Sequence, residues 1–219
     1  MLSLLLIRHA QSRAQLSPQI ISGGDNTPPL TDLGHYQSQL LEERLKKEEG
    51  LFDAAYSSQA LRTWQTAQHV LPAAILENIK ITPLLGEIFQ GAWIGEKRVD
   101  TYTSEILAQI NADLWHFKAP GGESPCEVEG RMLRFLEEVV KNHRPSDRII
   151  AFTHAYATKC LLKNLLHISP KEAYELDITN TAITEIVYGP PLWKVIRIGD
   201  CSHLKNVPMK ENIERVYCT

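Results

Sequence analysis

No stretch of this 219-residue sequence approaches the ~18 to 20 consecutive apolar residues that a membrane-spanning helix needs. Cysteine is sparse. Cys126, Cys160, Cys201 and Cys218 are scattered and form no CxxC pair, so neither a metal knuckle nor a disulfide framework is signalled. A reducing cytoplasm is the expected home. An excess of one charge is also missing. With 23 Lys plus Arg against 26 Asp plus Glu, the formal charge of −3 offers no broad basic face to nucleic acid or to an anionic membrane. Any anion site must therefore be local. The apolar start, Met1 to Ile7, has no basic leader and is too short for a signal-peptide core, so it is expected to form the first strand. Internal repeats and low-complexity segments are lacking too, and the length suits one domain with an insertion.

What is present begins at Leu4, Leu5, Leu6, Ile7, Arg8, His9, a buried-strand pattern that stops at a cation beside an imidazole. Strand ends of this kind are where open α/β sheets place their chemistry. The Gly, Asn, Asp and Pro residues from Ser22 to Pro29 mark a loop near that end. Thr31 then caps a helix from Asp32 to about Gly50, and the mixed charge run Lys46 to Glu49 reads as its solvated end. Phe52 to Tyr56 is a short strand, and Ser57 and Ser58 offer N-cap oxygens to a helix carrying Arg62. Another short strand, Ile79 to Thr82, leads to Glu87.

Residues 88–120 read as an insertion covering the site, with a helix over Asp100 to Phe117 and a small core of its own from Phe89, Trp93, Tyr102, Trp115 and Phe117. Ser124 caps a long helix that ends by Pro145. Arg148 to Phe152 is a second buried strand, stopping at Thr153 and His154 and followed by a helix from Ala155 to Leu166. Ile183 to Val187 and Val195 to Ile198 complete the strands, and the last ~20 residues are polar and poorly periodic, as chain ends tend to be. Strands alternating with helices indicate a three-layer α/β/α domain, 1–219, with a mainly parallel central sheet and 88–120 as a small lid insertion.

Two of the eight histidines, His9 and His154, terminate buried strands, and in a parallel sheet those ends lie on one edge. A neutral imidazole can attack phosphorus and carry the phosphoryl group on nitrogen. Arg8 and Arg62 supply forked donors suited to phosphate oxygens. Glu87 is the candidate general acid and base, with Glu96 as its rival. His35, His69, His116, His143 and His167 read as packing or surface residues.

The segment Leu6 to Ser12 resembles the Arg-His-Gly signature of the histidine phosphatase superfamily, in its phosphoglycerate mutase-like branch. The likeness runs on through Gly24 to Thr31, through Tyr56, Ser57, Ser58, Leu61, Arg62, Thr66 and Ala67, and through Leu85 to Glu87, Gly121 to Ser124, Phe152 to His154, Asn180 with Thr181, and His203 with Leu204. It implies His9 as phosphorylated nucleophile, Glu87 as proton donor, and Arg8, Arg62 and His154 as phosphate pocket. Ala10 and Ala155 stand where the family usually has glycine, and Gln15 stands where many members have a phosphate-touching asparagine. Gln15 and Ala155 are thus counted with the phosphate-binding set, and neither metal nor cofactor is implied.

The function expected is hydrolysis of small phosphomonoesters through a phosphohistidine on His9. The alternatives are a phosphoglycerate mutase and a catalytically weak member that binds phosphorylated ligands. The mutases of this family carry a longer, more basic insertion, whereas 88–120 here holds Lys97, Arg98 and Lys118 against Glu96, Asp100, Glu105 and Asp113. The expected partner is a small phosphomonoester, with no role for nucleic acid or membrane; the sequence sets no oligomeric state.

Overall fold

The computed structural model describes residues 1–48 and 50–205. The polar chain end falls largely outside them, as does Cys218. The order is β1 (Leu2–Arg8), α1 (Asp32–Glu48), β2 (Ala54–Ser57), α2 (Leu61–Val70), α3 (Ala73–Leu76), β3 (Lys80–Ile81), α4 (Arg98–Thr101) and α5 (Ser104–Ala112). Then come α6 (Pro125–Asn142), β4 (Arg148–Thr153), α7 (Ala155–Leu166), α8 (Pro170–Glu175), β5 (Ile183–Gly189) and β6 (Leu192–Asp200). The strands form a six-stranded sheet ordered β3-β2-β4-β1-β5-β6. β3, β2, β4 and β1 run parallel, and β5 and β6 add antiparallel to the β1 side.

Strand β1 is apolar on both faces because both are covered. Leu2, Leu4 and Leu6 pack with Val128, Met132, Phe135 and Leu136 of α6 and with Ala157 and Leu161 of α7. On the other face, Leu5 and Ile7 meet Leu41 and Leu45 of α1 and Ala67 and Val70 of α2. The strand β4 divides likewise, Ile149 and Ala151 to one side and Ile150 and Phe152 to the other. This is the expected three-layer α/β/α sandwich. Among the described residues no helix is long and apolar enough to cross a membrane.

The helix starts follow local hydrogen bonding. Thr31 Oγ1 accepts from the amide of Gly34 to open α1. Ser124 and Glu127 form a reciprocal capping box at the start of α6, with Pro125 in its first turn. The start of α2 departs from expectation. Its N-cap is Ala60, with no side-chain cap, and Ser58 is turned to another partner described below.

The insertion also differs. In place of one helix over Asp100 to Phe117 there are two, α4 and α5, because Thr103 Oγ1 accepts from the amide of Ile106 and starts a new helix after Tyr102. Trp93 does pair with Tyr102 and Phe117, at ring-centroid distances of 5.5 and 5.8 Å. Trp115, by contrast, joins the main core under α6, its Nε1 donating to buried Glu129 at 2.8 Å. The short helices α3 and α8 have no counterpart in the sequence expectations, being too brief for a periodic signal.

Gly34 tests how α1 is seated. Alanine in a helix ordinarily gains about 1 kcal/mol over glycine, but a Cβ here would lie 2.0 Å from the main-chain oxygen of Gln11. Gly34→Ala is therefore expected to lose about 1 to 3 kcal/mol by overpacking, read from the urea midpoint; a gain in stability would refute this packing.

Candidate active site

The site is built by strand ends. In the parallel pair β1–β4 the register sets Arg8 beside Thr153, and the amide of His9 donates to the carbonyl of Thr153 at 3.0 Å. His9 and His154, each one residue past its strand, are thereby neighbours, with ring centroids 5.1 Å apart and planes at 62°. On the other side of β4, Ser57 pairs with Phe152, and the amide of Ser58 donates to the carbonyl of Phe152 at 3.0 Å. Three parallel strands thus end in His9, His154 and Ser58 on one edge of the sheet. All three residues are buried.

Arg62, in the first turn of α2, ties the rings together. Its Nε lies 3.3 Å from His9 Nε2 and its Nη2 lies 3.3 Å from His154 Nδ1, while Nη1 donates to the carbonyl of Asp25 at 2.6 Å. A guanidinium can only donate, so both ring nitrogens facing it carry lone pairs. The opposite nitrogens carry the protons. His9 Nδ1 donates to the carbonyl of Ala10 at 2.7 Å, and His154 Nε2 donates to Ser58 Oγ at 2.8 Å. Both imidazoles are neutral. Burial is the main cause that holds His9 well below its usual pKa, and the charges of Arg62 and Arg8 add to it. For His154 burial again comes first, followed by Arg62 and His9.

Glu87 behaves in the opposite way for the same reason. Its carboxylate sits at the start of α7, accepting from the amides of Ala157 at 3.1 Å and Tyr156 at 3.3 Å, and from that of Ile88 at 3.0 Å. Those hydrogen bonds, Arg62 and Arg8 favour the charged form, but the loss of water around the carboxyl is larger and raises its pKa. A buried, electropositive pocket therefore holds two neutral bases beside an acid that keeps its proton more readily than usual.

The remaining expected residues are also located. Arg8 Nη1 donates to the carbonyl of Ile178 at 2.7 Å, and the Arg8 charge acts on both rings and on Glu87. Gln15 is engaged in an amide pair with Asn180, at 3.1 and 3.2 Å, and its Oε1 also accepts from the amide of Ser12. Ala155, 7% exposed, is the first residue of α7. Glu96 serves through its main chain, its carbonyl accepting from the amide of Ile21 at 2.9 Å.

Several supports have no role at the site in the sequence reading, Ser58 being read there as a helix cap. Ser58 fixes the His154 tautomer and is itself 2.8 Å from Thr63 Oγ1. Asn180 Nδ2 donates to the carbonyl of His9 at 3.0 Å, and Thr66 Oγ1 accepts from the amide of Ala10 at 3.1 Å. For Ser58 the usable signal is the alternation of β2, which ends at the same level as the two histidine strands.

The model of the histidine phosphatase superfamily (branch 1) matches residues 4–201. The chain belongs to that superfamily. Among superfamily relatives, "Phosphoserine phosphatase 1" of Hydrogenobacter thermophilus is 29% identical over 189 residues, 85% of this chain and 86% of that protein. "Probable phosphoglycerate mutase GpmB" of Photorhabdus laumondii is 28% identical over 229 residues, 98% of this chain and all of that one. The solved structure of YhfR from Bacillus stearothermophilus shares the histidine phosphatase fold, with a TM-score of 0.82 at 24% identity over 94% of this chain and 100% of that one.

Neutral buried imidazoles make stability depend on pH. Below the ordinary imidazole value of 6.5 the unfolded chain binds protons that folded His9 and His154 refuse. Stability then falls with falling pH, by up to about 1.4 kcal/mol per pH unit for each ring. Glu87 works in the opposite direction over its own interval above 4.5, since its folded pKa is raised. In urea titrations from about pH 7.5 to about pH 5.5, the His9→Asn/His154→Asn double variant should lose less stability on acidification than the parent. Equal losses would mean that the rings are charged in the folded protein.

Proposed function

We propose that the protein hydrolyses small phosphomonoesters through a covalent phosphohistidine on His9, without a metal ion. The observation that carries this reading is the bridging guanidinium of Arg62, which leaves two neutral imidazole lone pairs, His9 Nε2 and His154 Nδ1, facing one cation. A phosphate dianion entering there meets the fork of Arg62 and the charge of Arg8, and a ring nitrogen positioned to attack phosphorus. His154 gains a hydrogen bond to a phosphate oxygen once it takes up a proton on Nδ1. Gln15 and Ala155 stand at the edges of this pocket, Gln15 acting through Asn180 and Ala155 through the start of α7.

In the first step the lone pair of His9 Nε2 forms a bond to phosphorus as the ester P–O bond breaks. The proton of Glu87 passes to the departing oxygen, so the alcohol leaves neutral. The carbonyl of Ala10, accepting from Nδ1, offsets the positive charge that develops on the ring. In the second step the Glu87 carboxylate takes a proton from water, the water oxygen attacks phosphorus, and the P–N electron pair returns to Nε2. The two arginines supply the positive charge that stabilises the transferring group. We take the chain as one domain in which residues 88–120 form the lid and govern which ester enters.

A second reading, phosphoglycerate mutase activity, draws support from the full-length likeness to the Photorhabdus laumondii relative. It shares the first step and differs in returning the phosphoryl group to a bound monophosphate, which requires exclusion of water. The small, mixed-charge insertion favours hydrolysis.

The test is turnover of p-nitrophenyl phosphate in the presence of a chelator. Nitrophenol release, abolished by His9→Ala, supports the hydrolase; phosphate exchange between the 2 and 3 positions of glycerate without nitrophenol release would replace it with the mutase. Glu87→Gln should lower kcat on an alkyl phosphate by ~100-fold or more, and much less on the nitrophenyl ester, whose leaving group needs little protonation. Equal losses on the two esters would remove Glu87 from the acid role.

A further inference from the structure

His9, His154 and Arg8 sit at strand ends and Arg62 in the first turn of a regular helix, but Glu87 has neither kind of support. It lies in the irregular stretch after the 3-10 turn Pro83–Leu85. Such a segment has no ladder to hold it, so its position must come from side chains.

Arg131, on α6, shares that hold with Thr153, whose Oγ1 donates to the carbonyl of Leu85 at 2.7 Å, and with the amides of Tyr156 and Ala157 from which the Glu87 carboxylate accepts. Arg131 is buried, at 6% exposure. Its Nη1 donates to the carbonyl of Leu84 at 2.8 Å and its Nη2 to the carbonyl of Glu87 at 3.2 Å. The same guanidinium grips Glu123 with two bonds, Nε to Oε1 at 2.9 Å and Nη2 to Oε2 at 3.1 Å. Glu123 completes the clamp: its Oε2 accepts from the amide of Phe89 at 3.1 Å, and its own amide donates to the carbonyl of Phe89 at 2.7 Å. The backbone on either side of Glu87 is thus held at Leu84, Glu87 and Phe89 by one ion pair whose arginine is buried and whose carboxylate is half-buried. Neither partner contacts His9 or Arg62 by hydrogen bond.

We propose that Arg131, oriented by Glu123, is a positioning residue that sets the distance between the Glu87 carboxyl and the departing oxygen of the substrate. The inference rests on the reading of Glu87 as the acid. A lysine at 131 keeps the charge but not the planar fork, and cannot satisfy two carbonyls and a carboxylate with the same geometry. Displacing a catalytic group by about an ångström from a remote site can cost ~100-fold in rate.

The experiment compares Arg131→Lys with Glu87→Gln over phosphomonoesters from nitrophenyl to alkyl, with inorganic phosphate as competitive inhibitor. Arg131→Lys is expected to lower kcat on the alkyl ester by ~10- to 100-fold, with a much smaller loss on the nitrophenyl ester and an inhibition constant for phosphate little changed. The double variant with Glu87→Gln should lose little more on the alkyl ester than Glu87→Gln alone, since both act through one group. Glu123→Gln, which keeps one acceptor oxygen, should show the same pattern more weakly, and serves if Arg131→Lys fails to fold. Losses at position 131 that are equal across leaving groups, or additive with Glu87→Gln, would overturn the proposal while leaving Glu87 as the acid. If Glu87→Gln itself shows no dependence on leaving group, the underlying assignment falls, and the clamp's role in catalysis falls with it.

Discussion

The parallel register between β1 and β4 is the constraint on which the site depends. By setting Arg8 against Thr153 it makes the next residue of each strand, His9 and His154, neighbours across 5.1 Å, although 144 intervening residues separate them in the chain. A slip of one residue would send one ring to the opposite face of the sheet. That slip is resisted by the core itself, because Leu4, Leu6, Ile149 and Ala151 on one face, and Leu5, Ile7, Ile150 and Phe152 on the other, would all exchange sides. The meeting of the two rings and the hydrophobic packing are thus the same specification.

Burial then sorts the ionisable groups. Removing water disfavours whichever form is charged, so it lowers the histidines and raises Glu87 in the same pocket. The cations Arg62 and Arg8 strengthen the effect on the rings and oppose it on the carboxyl. Desolvation wins in both cases. The consequence is a pocket in which both imidazoles favour the neutral form while Glu87 releases its proton less readily than a free carboxyl, two shifts of opposite sign with one cause.

How much of this is legible in the sequence depends on how local the cause is. Two apolar runs that stop at Arg8-His9 and Thr153-His154 announce buried parallel strands and a shared edge, so the sheet and the meeting of the two rings can be read directly. Ser58 reads as a helix cap because a hydroxyl just before a helix usually is one; only the end level of β2 shows that His154 Nε2 lies 2.8 Å away. The amide pair of Gln15 with Asn180 spans 165 positions and leaves no local mark. The insertion misleads for a different reason. Apolar spacing records that Trp115 is buried but not in which core, and Thr103 competes as a cap within what looks like one helix. Arg131 sits in α6 among Val128, Met132 and Phe135, where sequence pattern alone offers no reason for a buried cation.

The division of labour between strands and loop has a further consequence. Of the groups proposed to face phosphate, Arg8, His9 and His154 lie at the ends of β1 and β4, and Arg62 is brought to them by the first turn of α2. Glu87 and residues 88–120 follow one another in the chain, and the Glu123–Arg131 pair secures their junction by holding Leu84, Glu87 and Phe89 at once. Beyond Phe89 the insertion is tied to the loop after β1, through Gln90 to Gly23, Gly95 and Glu96 to Ile21, and Arg98 to Gln19. A fold arranged in this way sets the buried group of His9, His154 and Arg62 apart from the insertion that follows Phe89, in keeping with relatives of similar overall identity bearing both phosphatase and mutase names.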